Sequence, residues 1–345
     1  MVDPGVCKGL RLVFMAQLRT TWFLGVLLLL LSHAAQASMS RPIAEEGKPT
    51  EVHAVGVVLD VDKIDSAEQN FTLNLYAIFR WADPRLAHNG PGSEMRNLSD
   101  IWNPRLTITN TQKLRKNTRD EVEISPEGVV TYRLHVFGDF SQPMELQAFP
   151  QDRHLFEVPI VAAGYRPHEL VFVPDTRMDS FIADKLSVAD WTISDMQGRS
   201  REVLLANGIK LPGFVFSFEG ERLFHHYLVK TIIPLALIVM MSWVVFWIDP
   251  KQIQNQLSVA VTTVLTLIAY HIALSGRLPE IPYLTHMDTF LFSSTVLVFM
   301  SLIEVVVTSH LSSTDNLAMA RGLDKTARWL FPLIFILAFS ISFVF

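Results

Sequence analysis

Residues 254–276 read QNQLSVAVTTVLTLIAYHIALSG. The stretch is apolar and long enough to cross a ~30 Å hydrocarbon layer as a helix, which takes about 20 residues. Yet hydroxyl side chains recur along it. On a helix of about 3.6 residues per turn, Ser258, Thr262, Leu265, Ala269 and Ile272 form a single stripe, with Asn255 and Thr266 at its margin. A lone Ser or Thr in such a helix commonly bonds back to a carbonyl of its own helix. A whole stripe reads better as a surface that faces water or a neighbouring copy of itself. One four-helix unit is too thin to enclose a wide aqueous path, so the stripe predicts several copies around one pore.

The rest of the chain supplies such a unit. Apolar segments at about 227–248, 253–275, 287–309 and 326–345 are each near spanning length, with short connectors. The chain has 345 residues, 50% of them hydrophobic, and a mean hydropathy of +0.29. That balance predicts a chain that is part aqueous and part membrane.

At the start, Lys8, Arg11 and Arg19 precede the apolar run WFLGVLLLLL (residues 22–31), and AQA (35–37) supplies small residues. Residues 1–37 therefore read as a secretory signal peptide cleaved after Ala37, the apolar run being too short to span. Export of residues 38–222 and four crossings by 223–345 leave both that domain and the C-terminus outside a multi-pass cell (inner) membrane. The connectors then facing the cytoplasm, around 249–252 and 311–325, and the helix start beside them hold Lys251, Arg321, Lys325 and Arg328. The outward connector has only Arg277, as the positive-inside rule expects.

Residues 52–221 carry a different period. VGVVLDV (55–61), FTLNLYAIFRW (71–81), RLTITN (105–110), VVTYRLHVFGDF (129–140), HLFEVPI (154–160), ELVFV (169–173), LSVADWTIS (186–194) and GFVFSFEG (213–220) are β-rich runs punctuated by Gly, Pro, Asn and Asp. They predict an all-β sandwich or barrel. The formal net charge is −5 before the basic leader is removed, which argues against nucleic acid as a partner. The one cysteine, Cys7, lies in the leader, so the domain must rely on its core or on oligomerisation. No GxGxxG, P-loop, CxxC, HExxH or nucleophile motif is present. The sequence gives no sign of an enzyme and calls for no cofactor or metal.

Several motifs then fall in one order: WADPRL (81–86), WNPRLTITN (102–110), QPMELQAFPQD (142–152), Arg222 before the first span, IIPLALIVMMSWVVFW (232–247) with Pro234, RLPEIPYLT (277–285) and ARWLFPLIF (327–335). Together they resemble the pentameric ligand-gated ion channel family, the superfamily of the nicotinic acetylcholine receptor. Gln142 and Phe156 stand where the family's signature loop has its two cysteines, and the link between the third and fourth helices is short, as in prokaryotic members.

The resemblance implies a homopentamer embedded in membrane lipids, with an all-β sandwich outside and a four-helix transmembrane domain. It implies a pore lined by Gln254, Ser258, Thr262, Leu265, Ala269 and Ile272, gated at Leu265 and Ile272. Asp65, Phe149, Pro150, Asp152, Arg222, Pro279, Pro282 and Tyr283 would couple the domains, with Arg222, Asp152 and Asp65 as a charged cluster. Tyr76 and Tyr165 are candidates to wall an agonist site, whereas Thr109 stands where an aromatic is expected. The stimulus would be a small-molecule agonist or protons, the latter through His154, His168, His225, His226, His271 or His286. Gln254, Asn255 and Gln256 leave the inner pore mouth neutral, and the acidic exported domain with Glu280 favours monovalent cations. The alternative is an exported receptor or carrier whose helices only anchor or transport, for which internal repeats or broken helices would be expected.

Overall fold

Alternation along Asn70–Ala82 organises the β-rich N-terminal half. In this strand Phe71, Leu73, Leu75, Ala77, Phe79 and Trp81 are buried, while the residues between them face outward, as a strand of period two requires when one face covers a core. The computed structural model describes residues 40–42, 47–205, 208–275, 281–314 and 316–344. The leader at 1–37, Arg277, Pro279 and Glu280 lie outside the described residues.

The strands are β1 (Thr50–Asp65), β2 (Asn70–Ala82), β3 (Glu94–Asn97), β4 (Leu106–Ile108), β5 (Thr111–Lys116) and β6 (Glu121–Ile124). They continue with β7 (Val129–Ser141), β8 (Arg153–Ala162), β9 (Leu170–Pro174), β10 (Phe181–Ile182), β11 (Trp191–Leu204) and β12 (Lys210–Arg222). One sheet runs β10-β1-β2-β7-β6-β3, with β5 added to β7 and β9 to β1; the other runs β11-β12-β8-β4. Between them Phe71, Phe156 and Phe218 pack with centroids 5.1–5.8 Å apart. Phe156, at a position the resemblance gives to a loop cysteine, is fully buried there. The strands absent from the sequence reading, β3, β5, β6 and β10, are short, and β3 and β5 are polar and largely exposed. Pairing makes them strands, β5 and β6 on β7, β3 on β6 and β10 on β1, and only β6 shows a brief apolar alternation, with Val122 and Ile124 buried. At β5 a register irregularity brings Lys113 close to β7, and Gly138 is the residue that allows it: a Cβ there would meet the Lys113 carbonyl at 2.0 Å.

Four long helices follow: α1 (Phe224–Trp247), α2 (Ile253–Ser275), α3 (His286–Ser313) and α4 (Leu317–Phe343). Each is long and apolar enough to cross a membrane. In α1 the turn Leu228–Ile232 is a π turn immediately before Pro234, whose missing N–H loosens the preceding ladder. The fourth span starts earlier than the 326 read from hydropathy, and the connector expected over 311–325 is mostly helix. Ala318, Met319, Ala320, Arg321 and Lys325 are strong helix formers and prolong α4, which an apolar-run criterion cannot register because charges interrupt the run. α3 begins with a full capping box: the Thr285 hydroxyl accepts from the Asp288 amide at 3.0 Å, and the Asp288 carboxylate accepts from the Thr285 amide at 3.0 Å.

Phe156→Ala removes a ring that touches Phe71, Phe218 and Trp191. A cost of about 3–5 kcal/mol is expected, read as a lowered thermal midpoint of the β-sheet circular-dichroism signal in the solubilised full chain. An unchanged midpoint would mean that this ring is not the centre of the sandwich core.

Candidate functional site

Helix α2 buries one face and exposes the opposite one. Gln256, Ala260, Thr263, Leu267 and Leu274 turn towards the chain's other helices. Gln254, Ser258, Thr262, Leu265, Ala269 and Ile272 are all exposed, Leu265 at 61% and Ile272 at 70%. The stripe read from periodicity is thus one unpartnered face of the subunit. Its hydroxyls nevertheless make the local bonds the blander reading expected. Ser258 Oγ donates to the Gln254 carbonyl at 2.7 Å, Thr262 Oγ1 to Ser258 at 2.7 Å and Thr266 Oγ1 to Thr262 at 2.8 Å. Both descriptions hold together: the protons point into the helix, and the oxygen lone pairs are left on the exposed face.

Of the three neutral residues assigned to the pore mouth, Gln256 does not belong there. It is fully buried, and its Nε2 donates to the Ile248 carbonyl at 3.1 Å, clamping the turn between α1 and α2. Gln254 and Asn255 remain exposed, Asn255 donating to Gln252 Oε1 at 2.9 Å. A one-residue step on a helix turns a side chain by about 100°, which separates Gln256 from the stripe.

The seam between sandwich and helices centres on Arg222, at the end of β12. Its Nε donates to Asp152 Oδ1 at 2.7 Å and its Nη2 to Asp152 Oδ2 at 3.0 Å, with the two side chains only 3% and 2% exposed. The guanidinium also lies 4.1 Å from the Trp191 ring centroid, 4.8 Å from Phe149 and 5.6 Å from Tyr227, an aromatic cage of the kind that stabilises a desolvated cation. Burial by itself would raise the Asp152 carboxyl. Hydrogen bonds from His154 and Arg222 and the Arg222 charge outweigh it and hold the group below the usual carboxylate range. Burial likewise opposes the Arg222 charge, and Asp152 more than compensates.

Asp65 is not part of this cluster. It pairs with Lys63 at 2.5 Å and accepts from the Ala67 and Glu68 amides, closing the β1–β2 turn. The next residue, Ser66, takes the place expected of it, accepting from Arg222 Nη2 at 2.6 Å. A carboxylate at a turn start is drawn to the free amides ahead of it, which leaves the neighbouring hydroxyl to face inward.

The segment 142–152 joins the two domains through its backbone. Phe149 and Pro150 are buried, linked by a cis peptide bond. Tyr283 Oη accepts from the Leu146 amide at 3.0 Å. The His286 amide donates to the Gln147 carbonyl at 3.0 Å and the Met287 amide to the Phe149 carbonyl at 3.1 Å. Two of the amides that α3 cannot satisfy within itself are therefore taken by this loop. Pro282 is exposed beside Tyr283. The loop's ends are tied without a disulfide: Gln142 Nε2 donates to the Leu155 carbonyl at 2.7 Å and its Oε1 accepts from the Glu157 amide at 2.9 Å, on either side of Phe156.

The two candidate agonist aromatics do not meet within the subunit. Tyr76, on the outward face of β2, stacks edge-on with His135 at 5.9 Å. Tyr165, after β8, accepts from Trp102 Nε1 at 2.8 Å and packs on that ring. Thr109 is exposed and supplies no ring. His271 lies off the stripe, bonded to Thr295 of α3 at 3.1 Å.

Comparison with known proteins gives a consistent result. Residues 28–206 match the neurotransmitter-gated ion-channel ligand binding domain, and residues 231–316 match the neurotransmitter-gated ion-channel transmembrane region. The gamma-aminobutyric acid receptor subunit beta-4 of Gallus gallus is 28% identical over 277 residues, 77% of this chain and 56% of that relative. The subunit rho-2 of Homo sapiens is 26% identical over 275 residues, 76% of this chain and 59% of its own. A proton-gated ion channel of Gloeobacter violaceus is 23% identical over 302 residues, 86% of this chain and 83% of its own. The chain thus spans a little over half of the receptor subunits and most of the bacterial channel.

Arg222→Gln strands the Asp152 carboxylate in a buried setting, and a loss of about 3–5 kcal/mol is expected. The sign with pH follows from the depressed carboxyl. In the wild type its contribution is present above the unfolded value of about 3.9 and is lost as pH falls through the lower folded value. In the variant burial is opposed mainly by the His154 bond, so this acid-driven loss shrinks or reverses, and the midpoint falls less steeply below about pH 5 than in the wild type. Thermal midpoints of both proteins between pH 3 and 7 check it; parallel curves would contradict the pairing.

Proposed function

The chain belongs to the neurotransmitter-gated ion-channel family, and from that premise we propose that it forms a homopentameric channel conducting small ions through a pore lined by α2. What carries the reading is the exposed stripe of Gln254, Ser258, Thr262, Leu265, Ala269 and Ile272 on a helix whose opposite face is packed against its own subunit. Five copies turned inward place a ring of Leu265 and a ring of Ile272 around the axis. Narrow apolar rings shed water, and a dewetted constriction blocks ions without a plug. Ser258 and Thr262 then offer oxygen lone pairs to partly dehydrated ions on the Gln254 side of Leu265. With their protons spent on backbone carbonyls, these oxygens act as acceptors and favour cations. The net negative charge of the chain acts in the same direction.

The sandwich is the sensing domain, exported to the outer side of the inner membrane, with the four helices crossing the bilayer. Arg222, Asp152, Phe149, Pro150, Pro282 and Tyr283 carry its motion to α3 and the connector after α2, with Pro279 in that connector. The stimulus is a small molecule held between subunits by aromatic faces such as Tyr76 and Tyr165, or a proton.

Planar-bilayer recording of the reconstituted chain tests the proposal. Unitary currents that step between closed and open levels are expected, with reversal potentials in a KCl gradient near the potassium equilibrium potential. Leu265→Thr should wet the constriction and raise open probability by about tenfold or more, a barrier change of at least ~1.4 kcal/mol. Ser258→Cys and Thr262→Cys should react with water-soluble thiol reagents when the channel opens. Turnover without unitary currents, or cysteines unreactive in every state, would overturn the pore assignment.

A further inference from the structure

The Asp152–Arg222 pair has a third member. His154 is buried in the same seam, and its Nε2 lies 2.8 Å from Asp152 Oδ2, the oxygen that also accepts from Arg222 Nη2 at 3.0 Å. A carboxylate only accepts hydrogen bonds, so the neutral imidazole is the Nε2–H form. Nδ1 is then left to take up a proton, and no bond to it is recorded among the described residues. The ring stands 5.8 Å from Trp191 and 6.1 Å from Phe156, wedged between the core and the guanidinium cage.

We propose that His154 is a proton switch on the Asp152–Arg222 pair, by which external pH sets how tightly the sandwich grips the membrane helices. The proposal rests on the channel reading and names a regulator of its coupling seam. With His154 neutral, Arg222 is the one cation on Asp152, and Asp190 stands 3.9 Å from its other edge. One proton from solution, added at Nδ1, turns the Nε2–H bond into a charge-assisted one on the oxygen that Arg222 Nη2 shares. It also makes His154 a second cation on Asp152, in competition with Arg222 in low-dielectric surroundings. Relief is at hand. Asp190 Oδ2 lies 3.9 Å from Arg222 Nη1, with its side chain 32% exposed. Protonation shifts Arg222 from Asp152 towards Asp190, so that each of the two cations has a carboxylate.

The other charged and titratable groups around the seam are accounted for. From the β1–β2 turn come Ser66, bonded to Arg222, and Asp65, held by Lys63. Arg153 and Glu221 pair with each other on the exposed side. From α1 come Tyr227, whose Oη accepts from Arg222 at 3.1 Å, and His226, stacked on Tyr227. His286 begins α3. Among these imidazoles only His154 bonds Asp152.

The full chain carrying Leu265→Thr, so that it opens without agonist, is recorded in bilayers from pH 8 to pH 5. Open probability should change about tenfold across that range, within the span usual for coupling between two sites. Adding His154→Gln, which keeps a donor to Asp152, should reduce the change to less than twofold, and adding His226→Gln should leave it intact. Equal pH profiles with and without His154, or loss of the response in His226→Gln, overturn the proposal. Should no variant carry current, the channel reading fails. Thermal midpoints of the wild type and His154→Gln against pH, measured in nanodiscs, then decide the switch. A step between pH 5 and 8 present only with His154 supports it, and superimposable curves dismiss it.

Discussion

A guanidinium removed from water must be met by a carboxylate and by enough further partners to occupy its donors, and most of the domain junction follows from meeting that demand at Arg222. Asp152 supplies the charge, Ser66 and Tyr227 supply oxygens, and Trp191 and Phe149 supply ring faces. These groups come from the β1–β2 turn, the 142–152 loop, the start of β11 and the start of α1. One buried cation therefore fixes four segments relative to one another. Because Asp152 ends the loop whose carbonyls take up the first amides of α3, the same cation indirectly positions α3. Breaking such a pair costs more than the pair contributes, since the survivor stays buried without compensation. The seam is consequently stiff.

On the membrane side, α2 resolves a conflict between two demands. A helix in lipid must satisfy every polar group internally, whereas a helix lining water profits from polar atoms on its surface. Ser258 and Thr262 meet both by donating to the preceding turn and presenting only oxygen outward. Gln256 does the reverse: its amide is consumed in holding the turn to α1. Neighbouring polar residues thus have opposite tasks, one set exposed on the open face of the helix and one fastening the helix to its own subunit.

How much of this was legible in the sequence depended on whether the signal lay in side-chain period or in backbone. The α2 stripe and the alternation of β2 were readable because each is written in residue type and spacing, whereas the Asp152–Arg222 pairing came from the family resemblance alone. The start of α4 was misplaced because charged residues prolong a helix beyond its apolar run. Asp65 was assigned to the charged cluster by its charge, when the free amides of its own turn held it and Ser66 faced inward. The short strands β3 and β5 have no intrinsic pattern and exist only through their partners. The loop-to-α3 bonds use amides and carbonyls that every residue owns, so nothing in the letters at 147, 149, 286 and 287 could announce them. Trp191 and Tyr227 had a fainter signal: aromatics beside a buried arginine are favourable wherever the fold brings them near.

Gln142 carries a consequence of its own. The ends of the 142–156 loop are joined by two hydrogen bonds from one primary amide to the backbone at 155 and 157, and the chain's one cysteine is Cys7. Thiol–disulfide exchange therefore has no bond to act on in this junction. Reductants and oxidants that would open or close a covalent staple leave it untouched, so the loop's closure is set by temperature and solvent and is independent of the redox poise of the compartment around it.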